Sequence, residues 1–350
     1  MSDIEFRGIS KRFGSVVALE DVSLKINDNE YVALLGPSGC GKTTLLKVLA
    51  GILTPSTGRV FVDEVDVTEL PPEERGMGFV FQDYALFPHM DVLGNTTYGP
   101  LIRGEEYDKT LKTAHDMLKL VRLAARYDAL PSELSGGMKQ RVAVARALTT
   151  GSEVLLLDEP LSALDAKVRK ELRLEMRRMV KDLKLTAIHV THDQEEAMAI
   201  CDKIVVMKKG RIVQVGTPSE VYEHPRTLFV AGFIGEANFF RVKLARAGGG
   251  FASTTLLGKN IRVPCGQKEG IYIAAIRPEK IHLKEGKDAK IKSRRLLGAH
   301  IRYELECGDE SFVAQDVHEF DGSVGIDFDE DDVRIFEMPK ESLRQVLEVD

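Results

Sequence analysis

The run Gly36-Pro37-Ser38-Gly39-Cys40-Gly41-Lys42-Thr43-Thr44 restricts the architecture of this chain more than any other stretch. Its glycines let the backbone curl until successive N–H groups face one point, a geometry that suits an anion. The apolar run Tyr31–Leu35 before it reads as a buried strand, and Thr44–Ala50 after it reads as a helix. A strand, a glycine-rich turn and a helix N-terminus, in that order, make a cradle for phosphate, and the helix dipole adds partial positive charge. In such a cradle Gly36, Ser38, Gly39, Cys40, Gly41 and Thr44 line the nucleotide. Lys42 reaches the β- and γ-phosphates, and the Thr43 hydroxyl ligates Mg²⁺.

A loop of this kind needs a largely parallel sheet covered on both faces, and the chain supplies one. Apolar strands at Gly78–Phe81, Val154–Leu157, Ala187–Val190 and Lys203–Met207 alternate with helical spacing at Lys109–Leu123, Lys139–Leu148 and Ala166–Leu183. Residues 3–35 read as short strands with turns, among them Ile4–Arg7 and Val22–Ile26. Near Gly235 the character changes to short alternating strands and glycine-rich turns such as Gly248-Gly249-Gly250, with no long helix before Lys340–Glu348. The expected fold is α/β: a phosphate-loop nucleotide-hydrolase domain over 1–235, with a helical subdomain at about 88–150. A small β-rich, OB-like barrel domain over 236–350 follows.

The 350 residues suit one large and one small domain. A net charge of −6 argues against a general nucleic-acid surface. Within the second domain the charge is split: residues 241–303 hold 15 Lys/Arg against 4 Asp/Glu, and 304–350 hold 3 against 16. That pattern fits a self-complementary surface or an anion site on the basic half. Cys40, Cys201, Cys265 and Cys307 form no Cys-x-x-Cys pair, which fits a reducing compartment rather than zinc or a disulfide frame. No basic-then-apolar leader opens the chain, and no apolar run approaches the ~20 residues of a membrane span, so a membrane role is expected to come through a partner.

Val154–Leu157 ends in Asp158-Glu159-Pro160. A strand buried on both faces delivers its last side chains to the ligand edge of the sheet. Asp158 is there to hold Mg²⁺ opposite Thr43, and Glu159 to polarise the water that attacks the γ-phosphate. Two adjacent acids can also cap a helix, but the phosphate loop favours the metal-and-base reading.

Leu134-Ser135-Gly136-Gly137-Met138-Lys139-Gln140-Arg141 is a second anion site, a Ser-Gly-Gly turn opening a helix. One chain binding one ATP has no use for it; two copies placed head to tail do. Here the chain resembles the ATP-binding subunits of ABC transporters, with Ser135, Gly136 and Gly137 similar to their signature motif. The resemblance implies further roles. Phe13 in Lys11-Arg12-Phe13-Gly14 stacks on adenine, and Gln82 contacts Mg²⁺ and water and senses the membrane subunit. Asp165, in Ser162-Ala163-Leu164-Asp165, lies in the loop that crosses the dimer interface. His192 touches the γ-phosphate and orients Glu159 and the water. Met138 departs from the usual Gln of the motif, which bears on rate or coupling.

Phe233–Phe240 and Ala275–Ile281, with Arg277-Pro278-Glu279, resemble the regulatory domain of importer ATPases for sugars, polyamines and ferric iron; Ala85–Met90 resembles their surface toward the membrane subunit. The resemblance implies an ATP-hydrolysing, energy-coupling subunit of a prokaryotic importer, peripheral on the cytoplasmic face of the inner membrane. It closes as a homodimer on ATP and Mg²⁺ and works with separate membrane subunits and, indirectly, an extracytoplasmic solute-binding protein. The alternative is a soluble ABC-type ATPase acting on nucleic acid. It wants stacking aromatics among the basic residues of 241–303, where only Phe251, Tyr272 and Tyr303 stand.

Overall fold

A computed structural model describes residues 3–162, 165–246, 251–264 and 269–347. Ala163-Leu164, Gly248-Gly249-Gly250, Cys265 and Glu348 lie outside the described residues. The chain divides into two compact units, Met1–Ser219 and Glu220–Val349.

Among its described residues the first unit holds two sheets. The six-stranded sheet runs in the order Arg211–Gly216, Lys203–Lys208, Tyr31–Leu35, Thr186–Thr191, Val154–Asp158, Met77–Val80. Five strands are parallel, and Arg211–Gly216 closes one edge antiparallel. Tyr31–Leu35, Val154–Asp158 and Thr186–Thr191 are buried at every residue, which explains their unbroken apolar runs. Both neighbours of Tyr31–Leu35 are parallel to it, so the loops after these strands emerge at one sheet edge.

The second sheet is antiparallel, in the order Val16–Ile26, Ile4–Phe13, Thr57–Val62, Val65–Asp66. Its first two strands run ten and eleven residues, longer than the short strands expected. Register shifts between Phe6 and Ile9 and again between Ile9 and Lys11 break the two-residue alternation that would have revealed their length. Gly8, at the first shift, sits at φ 61°, a conformation glycine adopts without penalty. Helices Val92–Ile102, Tyr107–Leu120 and Gly136–Thr149 form the helical subdomain.

In the second unit, five strands (order Lys259–Pro264, Phe251–Leu256, Asn238–Arg246, Gly270–Ile276, Arg334–Glu337) and four strands (order Glu310–Asp316, Ile301–Cys307, His282–Leu296, Ser323–Asp327) enclose one core that includes Phe240, Ile276, Tyr303 and Phe312. The unit begins before the Gly235 boundary, because Arg277 ties the preceding helical turns to it. Its guanidinium donates to the carbonyls of Ala231 (2.8 Å), Glu236 (3.1 Å) and Tyr222 (2.9 Å). The last helix, Leu343–Leu347, is shorter than the 340–348 expected: Ser342 caps it, exchanging hydrogen bonds with Gln345, and residues 340–342 stay outside it.

The two charge blocks of this unit pair with each other. Lys259 and Lys284 both hold Asp327 (2.9 and 3.3 Å), whose carboxyl falls to about 2 through these two partners. Lys292 meets Glu306 at 2.6 Å, and Arg294 meets Glu319 and Asp321 at 3.0 and 2.8 Å.

Candidate functional site

Four of the loops that leave one edge of the six-stranded sheet carry the candidate residues. After Tyr31–Leu35 comes the glycine-rich loop, and two of its glycines are required by contact. A Cβ on Gly36 would lie 2.3 Å from the Met207 carbonyl oxygen, and one on Gly41 would lie 2.5 Å from that of Ala18, at φ 105°. Lys42 is buried and folds back over the loop, donating to the carbonyls of Gly36 (2.7 Å) and Pro37 (2.8 Å). The helix Lys42–Leu49 starts directly at that lysine.

After Val154–Asp158, the Thr43 hydroxyl donates to Asp158 Oδ1 at 2.8 Å, joining positions 115 residues apart. Burial raises the Asp158 carboxyl above its ordinary range, opposed by the Thr43 bond and the nearby Lys47 and Lys42, and reinforced by Glu159. Glu159 stands at φ 45°, and its N–H is tied to the Val190 carbonyl at 3.0 Å. A non-glycine residue in that region is strained, and such strain collects at functional positions. Glu159 Oε2 is shared: His192 Nδ1 lies 3.2 Å away and Gln82 Nε2 donates to it at 3.4 Å. Thus the loops after Val154–Asp158, Thr186–Thr191 and Met77–Val80 meet at one carboxylate oxygen. The oxygens of Thr43 and Asp158 suit a hard cation such as Mg²⁺, and Gln82 stands beside the adjacent Glu159.

The remaining expected residues sit apart from this cluster. Ser135 is exposed and caps the helix Gly136–Thr149 by accepting from the Met138 N–H at 3.4 Å. The cap uses Met138's backbone, so the Met side chain leaves it intact. Gly137 is buried against Val168 and Leu172 of the helix Ala166–Asp182, where a Cβ would meet them at 3.2 and 3.4 Å. Asp165 caps that helix through the Val168 N–H at 3.1 Å. Among the described residues no hydrogen bond joins Ser135 or Asp165 to the glycine-rich loop. Phe13 is exposed at the end of Ile4–Phe13, with Lys11 Nζ 5.3 Å from its ring centre. It belongs to the same hairpin as Ala18, whose carbonyl abuts Gly41.

Sequence reasoning missed a set of polar residues around this edge. Arg146, on the helix Gly136–Thr149, donates to the carbonyls of Tyr84 (2.9 Å) and Ala85 (2.7 Å) and so fixes the turn that follows Gln82. His189, Asp193 and Glu196 stand close to His192 along the chain; the Asp-x-x-Glu spacing of the last two is a pattern that by itself indicates only a helix start. Cys40 is buried, and burial raises its thiol above the ordinary range despite Lys42 nearby.

The ABC transporter family profile matches residues 19–162, and the TOBE domain profile matches residues 274–336. The Fe(3+) ions import ATP-binding protein FbpC of Rhizobium etli is 46% identical over 308 residues, 87% of each chain. The chain belongs to the ATP-binding subunits of ABC importers. The FbpC protein of Brucella abortus is 45% identical to this importer ATPase over 87% of each chain. The spermidine/putrescine import ATP-binding protein PotA of Oleidesulfovibrio alaskensis is 45% identical over 283 residues, 80% of this chain and 76% of its own. The first unit's fold recurs in the dimeric post-hydrolysis cassette MJ0796 bound to ADP and Pi (29% identity, TM-score 0.56, 61% of this chain and 98% of that one). It recurs also in the ADP conformation of the cassette MJ1267 (26%, 0.60, 66% and 98%). The importer ATPase therefore binds and hydrolyses ATP and reaches the membrane through transporter subunits. Among its described residues no helix is long and apolar enough to cross a bilayer.

Proposed function

We propose that the Glu159 cluster is the hydrolytic centre of an ABC importer that takes up ferric iron, and that each ATP lies between two copies of the chain. The observation that carries this is the convergence of His192 and Gln82 on Glu159 Oε2, one residue from the Asp158–Thr43 pair. In this reading Gly36, Ser38, Gly39, Cys40, Gly41 and Thr44 surround the phosphates, while Lys42 neutralises the β- and γ-oxygens. Thr43, Asp158 and Gln82 hold Mg²⁺, which when bound offsets the phosphate charge. Glu159 accepts a proton from the attacking water; His192 holds Glu159's rotamer and donates toward the γ-phosphate. Phe13 stacks on adenine. Ser135, Gly136 and Gly137 of a second copy close the pocket, and the Asp165 loop lies along that seam.

Ser135 supports the two-copy arrangement: it is exposed at a helix N-terminus and bonded to nothing in its own glycine-rich loop. ATP binding then joins two subunits, and hydrolysis separates them. The exposed Pro88 and His89, in the segment after Gln82, face the membrane subunits on the cytoplasmic side of the inner membrane. An extracytoplasmic binding protein delivers the solute. Ferric iron is favoured because seven relatives at 44–46% identity carry that import name.

The test is to purify a tagged Glu159→Gln chain from native membranes with ATP and to measure uptake after deletion of the gene. Multi-span proteins are expected to co-purify, and ferric uptake to fall while spermidine uptake is kept. Loss of spermidine uptake alone would replace the solute, and recovery of the chain without membrane proteins would overturn the proposed assembly.

A further inference from the structure

Four buried polar side chains join the strands Tyr31–Leu35 and Thr186–Thr191 to the helix that follows His192, and they have no part in the proposed chemistry. Tyr31 and His189 are fully buried, and Thr191 and Glu196 nearly so. Tyr31 Oη lies 3.1 Å from His189 Nδ1, and His189 Nε2 lies 3.4 Å from Glu196 Oε1. Thr191 Oγ1 donates to Glu196 Oε2 at 2.5 Å. The chain then brackets His192: the Asp193 N–H donates to Thr191 Oγ1 at 3.0 Å, and the Glu196 N–H donates to Asp193 Oδ1 at 3.1 Å. His192 itself is 57% exposed, so its placement depends on what holds the residues on either side.

Because Nε2 faces the Glu196 carboxylate, a neutral imidazole is best served by carrying its proton there, and Nδ1 then accepts from the tyrosine hydroxyl. Burial keeps His189 below its ordinary pKa; Glu196 and Asp193 oppose that effect and Arg173 adds to it. The His189–Glu196 approach lies off the hydrogen-bond direction, so Nε2 and Oε1 are buried without a formal partner. The link is slack, in a place where an unpaired buried group is costly. A small shift of the helix Gln194–Ile200 would change it.

Such a shift has a route. Arg169 (3.3 Å) and Arg173 both reach Asp193 Oδ2 from the helix that Asp165 caps. Motion of that helix therefore acts on Asp193, and through it on both flanks of His192.

We propose that Glu196 is a positioning residue for hydrolysis. Its carboxylate, bonded to Thr191 and faced by His189, sets the orientation of His192 toward Glu159, and the Arg169/Arg173–Asp193 bridge couples that orientation to the Asp165 helix. The inference rests on the reading of His192 given above. A polar core cluster that only stabilises the fold would have the same contacts but different kinetics.

The experiment is steady-state ATP hydrolysis by the full-length chain, with kcat and KM for wild type, His192→Ala, Glu196→Ala and the double variant. Thermal melts report the folded fraction. Glu196→Ala is expected to lower kcat about tenfold with KM nearly unchanged, and in the His192→Ala background to change kcat less than about twofold. Glu196→Gln, which keeps an acceptor for Thr191, is expected to recover most of the rate. Equal losses from Glu196→Ala in both backgrounds, or a full kcat in the single variant, would overturn the proposal and leave the role of His192 standing. An unchanged kcat in His192→Ala would overturn that role, and the proposal with it.

Discussion

Replacing Thr43 by Val keeps the shape of the side chain and removes one hydrogen bond. The lost bond is the 2.8 Å donation to Asp158 Oδ1, a carboxylate that is itself buried. Leaving a buried charged acceptor without this donor costs about 1.5–3 kcal/mol. In a unit the size of the nucleotide-binding one, each kcal/mol moves the melting temperature by about 2–4 °C, so the expected fall is about 3–12 °C.

The pH dependence has a definite sign. Burial already raises the Asp158 carboxyl, and the Thr43 bond is what opposes it most among the neighbouring groups. Without that bond the folded-state pKa rises further, which favours the folded state only while the carboxyl is protonated. The destabilisation is therefore complete above the folded pKa and fades as pH falls through it. Melts of nucleotide-free, chelator-treated protein at about pH 8 and about pH 5 read this directly. Asp158→Asn, which removes the buried charge, is expected to melt no lower than wild type and to shrink the cost of Thr43→Val. An unchanged melting temperature in Thr43→Val, or the same loss at both pH values, would refute the reasoning.

Other substitutions test separate parts of the structure. Gly41→Ala forces a left-handed residue at φ 105° and a Cβ 2.5 Å from the Ala18 carbonyl; ATP binding is expected to be lost in an equilibrium titration, with a drop in melting temperature. The buried, raised thiol of Cys40 is expected to react with N-ethylmaleimide more slowly than free cysteine, a rate readable by mass spectrometry. Arg277→Met strands three carbonyls in the second unit; at about 1 kcal/mol or more each, protease is expected to cut within 220–349 first, with ATP hydrolysis kept.

Much of the candidate site was legible because its signals are local. The fully buried strands read as apolar runs, and each leads directly into a loop that carries candidate residues. The glycine-rich loop carries its reason within nine residues, since Gly36 and Gly41 admit no Cβ. What escaped depends on pairings that no window of sequence contains. Tyr31 and His189 are 158 residues apart, and Arg75 reaches the carbonyls of Val48, Leu49, Thr68 and Leu70 from another loop. Asp193 and Glu196 were readable as a helix cap, yet the Glu196 side chain turns inward to Thr191 instead. The N-terminal strands were underestimated because bulges interrupt their alternation. The domain boundary shifted because one arginine, distant in sequence, holds the turns at Tyr222 and Ala231.

The pocket shared between two copies is tested most directly by ATP retention in trans. In the Glu159→Gln background, chains carrying Lys42→Ala or Ser135→Arg are prepared singly and as a mixture, and radiolabelled ATP that survives rapid gel filtration is counted. Neither variant is expected to retain ATP alone. The mixture is expected to retain it, because a mixed dimer pairs an intact Lys42 from one copy with an intact Ser135 from the other. Retention by Ser135→Arg alone, or none in the mixture, would contradict a site built from two copies.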